Sequence, residues 1–163
     1  MTEPGLLKAF FLLASAKGWA GEGTKTTSVE LPGAKIVTVE EEGFLRYIDC
    51  YYTYPGSDRS FGQTVIWAND RGEKWIPVWG MQFGGYYPES VIAFLKEALQ
   101  HTYETKQFIG GRGPLEFQQG DLCYVNEPKK NEFSDFEGEE KVFVNGVQVG
   151  FHWYRGLLLI PGT

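Results

Sequence analysis

Two stretches of this chain repeat one another. Gly43-Phe44-Leu45-Arg46-Tyr47-Ile48-Asp49 is answered by Gly120-Asp121-Leu122-Cys123-Tyr124-Val125-Asn126, with Gly, Leu, Tyr and Asp/Asn at matching places. The match continues in the same order on both sides. Phe11-Leu12 and Phe94-Leu95 each open a run with apolar residues at helical spacing, and each run is followed by an aromatic, Trp19 or Tyr103. Phe61-Gly62-Gln63 is echoed by Phe136-Glu137-Gly138-Glu139, and the strand-like runs Val65-Ile66-Trp67 and Val142-Phe143-Val144 follow. Then come turn signals, Asn69-Asp70-Arg71-Gly72 and Asn145-Gly146. Each half closes on aromatic strands, 78–83 with Gly85 and 149–154 with Gly156. A repeat this long restricts the fold, because one supersecondary unit must serve twice.

Each half reads as one helix and about four strands. The strands are expected at 35–41, 44–53, 62–69 and 75–83, then at 114–118, 121–127, 139–144 and 147–155. Ser90, two residues after Pro88, is the expected cap of the second helix. Short turns between strands favour antiparallel pairing. The expected fold is therefore α+β: an internally duplicated helix-plus-four-strand unit, with two main helices on a mostly antiparallel sheet, related by a pseudo-twofold. One domain spans 1–163, with repeat one at about 6–87 and repeat two at about 88–157. Residues 20–34 form a Gly/Thr/Pro-rich loop that reads as a connector or a flap.

Composition narrows the function. A hydrophobic share of 42% fills a core, while a net charge of −6 and no basic run longer than Lys129-Lys130 argue against direct nucleic acid binding. No apolar run approaches the roughly 20 residues of a membrane span. The start, MTEPGLLKAF, lacks the cationic region of a signal peptide, so a cytoplasmic location is expected, with Cys50 and Cys123 reduced. A Cys50–Cys123 disulfide would require adjoining strands. With two histidines, His101 and His152, and no HxxxH, HExxH or CxxC, neither a metal site nor any cofactor is expected.

Residues two apart on a strand share a face, so Tyr47 with Asp49, and Tyr124 with Asn126, point together. Two readings follow. These pairs line a cleft between the repeats, aromatic-walled with a few polar groups, or they pack the core and tie down loops. Glu139 and Glu140 point to opposite faces; Glu139 is a candidate partner for Gln63 or for Arg112. Gly110-Gly111-Arg112-Gly113-Pro114 reads as a tight link or as an anion cradle. The candidate ligand-binding set is Tyr47, Asp49, Gln63, Trp79, Tyr124, Asn126, Glu139 and Trp153; no catalytic residue stands out, since no nucleophile–base pair or phosphate loop is visible.

The run YIDCYY…FGQTVIW…PVWGMQFGGYY…FLKEAL…GRGPLEF…LCYVN…FEGEEKVFVNG resembles the bacterial domain of unknown function 5680 family over roughly residues 6 to 157. Its most specific parts are Trp79 to Gly85, the Arg112-Gly113-Pro114 turn and Phe136 to Glu140. Thr64 stands where the family pattern has Glu, and Gln82 where it has Asn. The resemblance implies a domain found alone or behind a helix-turn-helix module, hence an accessory or sensing role beside a transcription regulator, and no assigned activity. The expected function is a non-enzymatic small-molecule-binding or sensor domain. The alternatives are a protein-interaction module, such as a homodimer through exposed aromatics, and an enzyme of unknown class.

Overall fold

The computed structural model describes residues 3–70, 72 and 74–161. Of the expected turn at 69–72, Arg71 lies outside the described residues. The chain begins with helix α1 (Pro4–Lys17), continues through strands β1 (Lys35–Glu41), β2 (Leu45–Thr53), β3 (Arg59–Asp70) and β4 (Lys74–Tyr86), and makes a 3-10 turn (Glu89–Val91). Helix α2 (Ile92–Glu104) follows, then β5 (Glu116–Gln119), β6 (Leu122–Glu132), β7 (Asp135–Val144) and β8 (Val147–Leu158). This is a sheet-rich α+β fold with two helices and one antiparallel eight-stranded sheet, ordered β1-β2-β3-β4-β8-β7-β6-β5. Two four-strand meanders, each preceded by its helix, thus meet through their last strands.

The helices differ in what they hide. Helix α1 is apolar almost all round and buries Leu7, Phe10, Phe11, Leu12 and Ala14. Pro4 opens it, where the missing N–H costs nothing, and Gly18 closes it by donating its N–H to the Ala14 carbonyl at 2.7 Å. Helix α2 buries one stripe, Phe94, Leu95, Ala98, Leu99, Thr102 and Tyr103. The expected Ser90 cap is not made. Ser90 is exposed within the 3-10 turn, where Val91 N–H reaches the Pro88 carbonyl at 3.1 Å, and the turn runs straight into the helix.

Strand alternation then sets the layers. On β2, Leu45, Tyr47, Asp49 and Tyr51 point inward; on β7, Phe136, Gly138, Glu140 and Val142 do; on β8, Gly150, His152, Tyr154 and Gly156 do. Both helices cover that inner face, and the core lies between the two layers. Trp79 is fully buried between Phe133 and Phe136, each ring 5.3 Å away and nearly parallel, and its indole N–H donates to the Phe133 carbonyl at 3.0 Å. Phe11 of α1 docks on it at 4.8 Å.

Several strands outrun their expected limits. β6 passes through Pro128 because the ladder shifts register between Pro128 and Lys130, and the shift absorbs the missing N–H. Phe136-Glu137-Gly138, expected before a strand, therefore lies inside β7.

Candidate functional site

The loop after α2 carries Gly110 and Gly111 in the left-handed region, at φ +62° and +70°. It runs against tyrosine rings: a Cβ at Gly110 would stand 2.4 Å from Tyr154, and one at Gly113 2.6 Å from Tyr124. Only a glycine backbone can pass so close, and the passage turns the Arg112 side chain into the protein, where the residue is 8% exposed. Polar side chains satisfy the loop's backbone. Asn126 Nδ2 donates to the Ile109 and Gly113 carbonyls, both at 2.9 Å. Gly113 N–H donates to Tyr124 Oη at 3.0 Å, Gly110 N–H to Asn131 Oδ1 at 2.6 Å, and Tyr103 O–H to the Gly111 carbonyl at 3.1 Å. Tyr154 O–H completes the set on Asn126 Oδ1 at 2.6 Å.

Arg112 meets Glu140, which is fully buried. Its Nε and Nη2 both donate to Glu140 Oε1, the former at 3.0 Å. Tyr87 O–H donates to the same carboxylate at 2.8 Å and Tyr124 O–H at 2.6 Å. Burial opposes a charge here, but the guanidinium and the donated hydrogen bonds hold the Glu140 carboxyl below its usual range. The pair is ionised and charge-compensated, with Glu140 fully buried and Arg112 reaching the wall of a cavity.

In front of this pair lies a half-open cavity of about 670 Å³, lined by α1, α2, the inner sheet face and the loops at its rim. Its walls are mixed: Phe11, Tyr47, Tyr51, Phe83 and Tyr87 are aromatic, while Asp49, Thr64, Arg112 and His152 are polar. Asp49 is 5% exposed, and the hydroxyl of Thr64, its cross-strand partner, donates to Oδ1 at 3.0 Å. Among the described residues that is the one hydrogen bond to its side chain. Burial pushes the Asp49 carboxyl up to about 6, against the pull of Thr64 and Arg112. His152 lies 4.4 Å from the Tyr87 ring, and its Nε2 is 3.1 Å from Ser60 Oγ. Gly85 opens that path, since a Cβ there would sit 2.5 Å from His152 Cδ2. Burial brings His152 down to about 4, so it is neutral at pH 7, with Nδ1 unpartnered.

The sequence-predicted residues separate into three groups. Tyr47 and Asp49 line the cavity. Tyr124 and Asn126 lie behind it and hold the Arg112 loop, and Trp79 belongs to the aromatic core. Gln63, Glu139 and Trp153 occupy the outer sheet face: Gln63 is exposed, Glu139 pairs with Lys129 at 2.8 Å, and Trp153 is 38% exposed beside Phe61. The expected pairing of Glu139 with Arg112 or Gln63 is corrected to Glu140 with Arg112, because neighbours on a strand face opposite ways. Cys50 and Cys123 are free, and their strands β2 and β6 do not adjoin. Sequence reasoning does not single out Thr64, Glu140 or His152 as site residues. Strand register is what puts them on the inward face, beside Asp49 or Asn126.

The Thr64 hydroxyl is a checkable part of this geometry. Thr64→Val is expected to cost about 1 kcal/mol, the usual net value of one hydrogen bond. It should also move the Asp49 titration further above 6, read from its carboxyl carbon by NMR. An unchanged Asp49 titration would show that the hydroxyl does not hold the carboxylate.

No curated protein and no solved structure matches the chain. The family model for a domain of unknown function, DUF5680, matches residues 52–158, from the end of β2 to the end of β8. That span contains Thr64, Arg112, Glu140 and His152 and begins after Tyr47 and Asp49. With about two thirds of its length matched, including the Arg112 loop and the Glu140 strand, the chain belongs to the DUF5680 family.

Proposed function

We infer that this chain is a non-enzymatic small-molecule-binding or sensor domain whose site is the cavity around Asp49. One observation carries the reading: a cavity of about 670 Å³ holds a buried carboxylate with one hydrogen-bond donor. Buried charges in proteins are ordinarily paired or fully hydrogen-bonded. A group left short inside a space of ligand size is suited to a partner that arrives from solution. In this reading the protein is cytoplasmic and serves as an accessory to a bacterial transcription regulator, without touching nucleic acid itself.

The reading includes an internal duplication with a pseudo-twofold between β4 and β8. Its support is positional: Asp49 faces Thr64 across β2 and β3 as Asn126 faces Glu140 across β6 and β7. Thr64 thus takes the place that Glu140 holds in the second half. Where the family pattern has Glu, this chain avoids a second carboxylate beside Asp49.

A metabolite library screened by thermal shift tests the reading. At least one compound is expected to raise Tm, because a ligand of the native state stabilises by mass action. Thr64→Phe, which fills space beside Asp49, is expected to abolish that shift. A broad library without a hit, or hits unaffected by Thr64→Phe, would sink it. A second reading, a homodimer through the outer sheet face, rests on Phe61 and Trp153, exposed at 52% and 38% with rings 6.4 Å apart. A monodisperse monomer in light scattering would exclude it.

A further inference from the structure

The cavity is polarised along β2, and the polarity describes what it takes. Asp49, Tyr51 and Thr53 follow one another on the inner face of this strand and all line the cavity. Asp49 is the buried end. At the other end Lys35 Nζ donates to Thr53 Oγ1 at 3.0 Å and lies 5.6 Å from the centre of the Tyr51 ring. Lys25, from the connector before β1, brings a second ammonium to within 6.0 Å of the same ring. Both lysines are exposed, both line the cavity, and neither has a carboxylate within ion-pair distance among the described residues. The rim also carries Asp58 and Glu89, so the positive end is local to Tyr51. In a chain of net charge −6, two unpaired ammonium groups converging on one cavity-lining ring form a local anion site.

The buried end asks for something different. Asp49 has an incomplete set of donors, and the Arg112 guanidinium lies near enough to pull its carboxyl downward. A ligand ammonium would meet that guanidinium as a like charge, whereas a neutral N–H would not. Tyr47, Phe83 and Tyr87 line the same cavity, and aromatic walls suit a flat group. Four residues of strand separate Asp49 from Thr53, roughly 13 Å at about 3.3 Å per residue.

Building on the proposed binding role, we propose that the cavity takes an elongated ligand with a flat, neutral, N–H-bearing head at Asp49 and an anionic tail at Lys25 and Lys35. The tail is a carboxylate or a phosphate, and the two ends lie roughly 7–13 Å apart, the rise of two to four strand residues from Asp49 to Tyr51 and Thr53. A nucleobase or an arylamine serves as head; a nucleoside monophosphate and an aminobenzoyl amino acid are the two sources of this chemistry.

Isothermal titration of the full chain tests it with matched probes. Adenosine and guanosine 5′-monophosphates form the phosphate arm, against their free nucleosides; 4-aminohippurate forms the carboxylate arm, against hippurate, which lacks the amine. In at least one arm the complete probe is expected to bind tenfold or more tighter than its truncated partner. Lys25→Gln/Lys35→Gln, both exposed sites, is expected to weaken the phosphate or carboxylate probe about tenfold and to flatten its salt dependence, leaving a tail-less nucleoside unchanged. Asp49→Asn is expected to weaken any probe that carries the head. Equal binding of complete and truncated probes, indifference to the lysine substitutions, or no binding in either arm at millimolar concentration would overturn the proposal. In the last case, library hits of other chemistry that Thr64→Phe abolishes would leave the binding role standing without this polarity.

Discussion

Glu140→Ala is expected to cost about 3–5 kcal/mol of folding stability, the range for breaking a buried ion pair from one side. The substitution leaves the largely buried Arg112 guanidinium without its counter-charge. It also strips the acceptor from Tyr87 and Tyr124, two phenols that burial already holds well above their ordinary titration range. Urea denaturation followed by circular dichroism measures the loss. Arg112→Met/Glu140→Leu is the informative companion. It removes both charges at once, so its cost should be smaller than that of Glu140→Ala, because no ion is left uncompensated. A double variant as unstable as the single one would show that the phenols, and not the guanidinium, are what the carboxylate serves.

Asp49→Asn is expected to act in the opposite direction. Burial raises the Asp49 carboxyl from 3.8 to about 6. A carboxyl raised in the folded state contributes its full stability below the unfolded value, near pH 4, and loses it as pH rises through about 6. At pH 8 the native protein therefore carries a penalty of about 3 kcal/mol, from two pKa units at 1.36 kcal/mol each. An amide does not titrate. The variant should be more stable than the wild type by about that amount at pH 8, with the gap closing to under about 1 kcal/mol near pH 4. His152 has the converse effect: lowered to about 4, it is fully stabilising above 6.5 and loses that contribution as pH falls. In the wild type the two partly cancel between pH 4 and 6.5. In Asp49→Asn the acid sensitivity of His152 is uncovered, and denaturation midpoints from pH 4 to 8 should show it. A variant no more stable than wild type at pH 8 would mean that Asp49 is solvated in the native state.

How much of this was legible in the residues depends on the kind of feature. Hairpins were readable, because Asn145-Gly146 and the glycines at 43 and 120 are turn residues between alternating runs. Boundaries were less so. Pro128 looks like a stop and is carried by a register shift that no local signal announces. The pairing of Tyr47 with Asp49 and of Tyr124 with Asn126 on common faces followed from strand periodicity alone. Their different fates did not. Tyr124 became an anchor and Tyr47 a wall because only the second half has the Gly110–Gly113 loop pressed against it. The choice between Glu139 and Glu140 required the phase of β7, which its register with Asn126 decides. The sequence around Arg112 reads as an anion cradle or a tight link. What it meets depends on three left-handed or ring-stacked glycines, and so on tertiary contact.

The way the two meanders are joined bears on how the chain reaches this state. Every strand pairing but one links strands that follow one another in sequence, closed by short turns. Such hairpins form early at small loop-closure cost. The exception is β4 with β8, where Trp79 lies opposite Leu158. Arg112 with Glu140 lies wholly within the second half, but the cavity needs Asp49 from one half and His152 from the other. The site therefore depends on the one pairing between strands distant in sequence, the kind with the larger loop-closure cost. A nascent chain that has released its first meander would hold β4 as an open edge until β8 arrives, and any partner with an extended strand to offer would meet it there first.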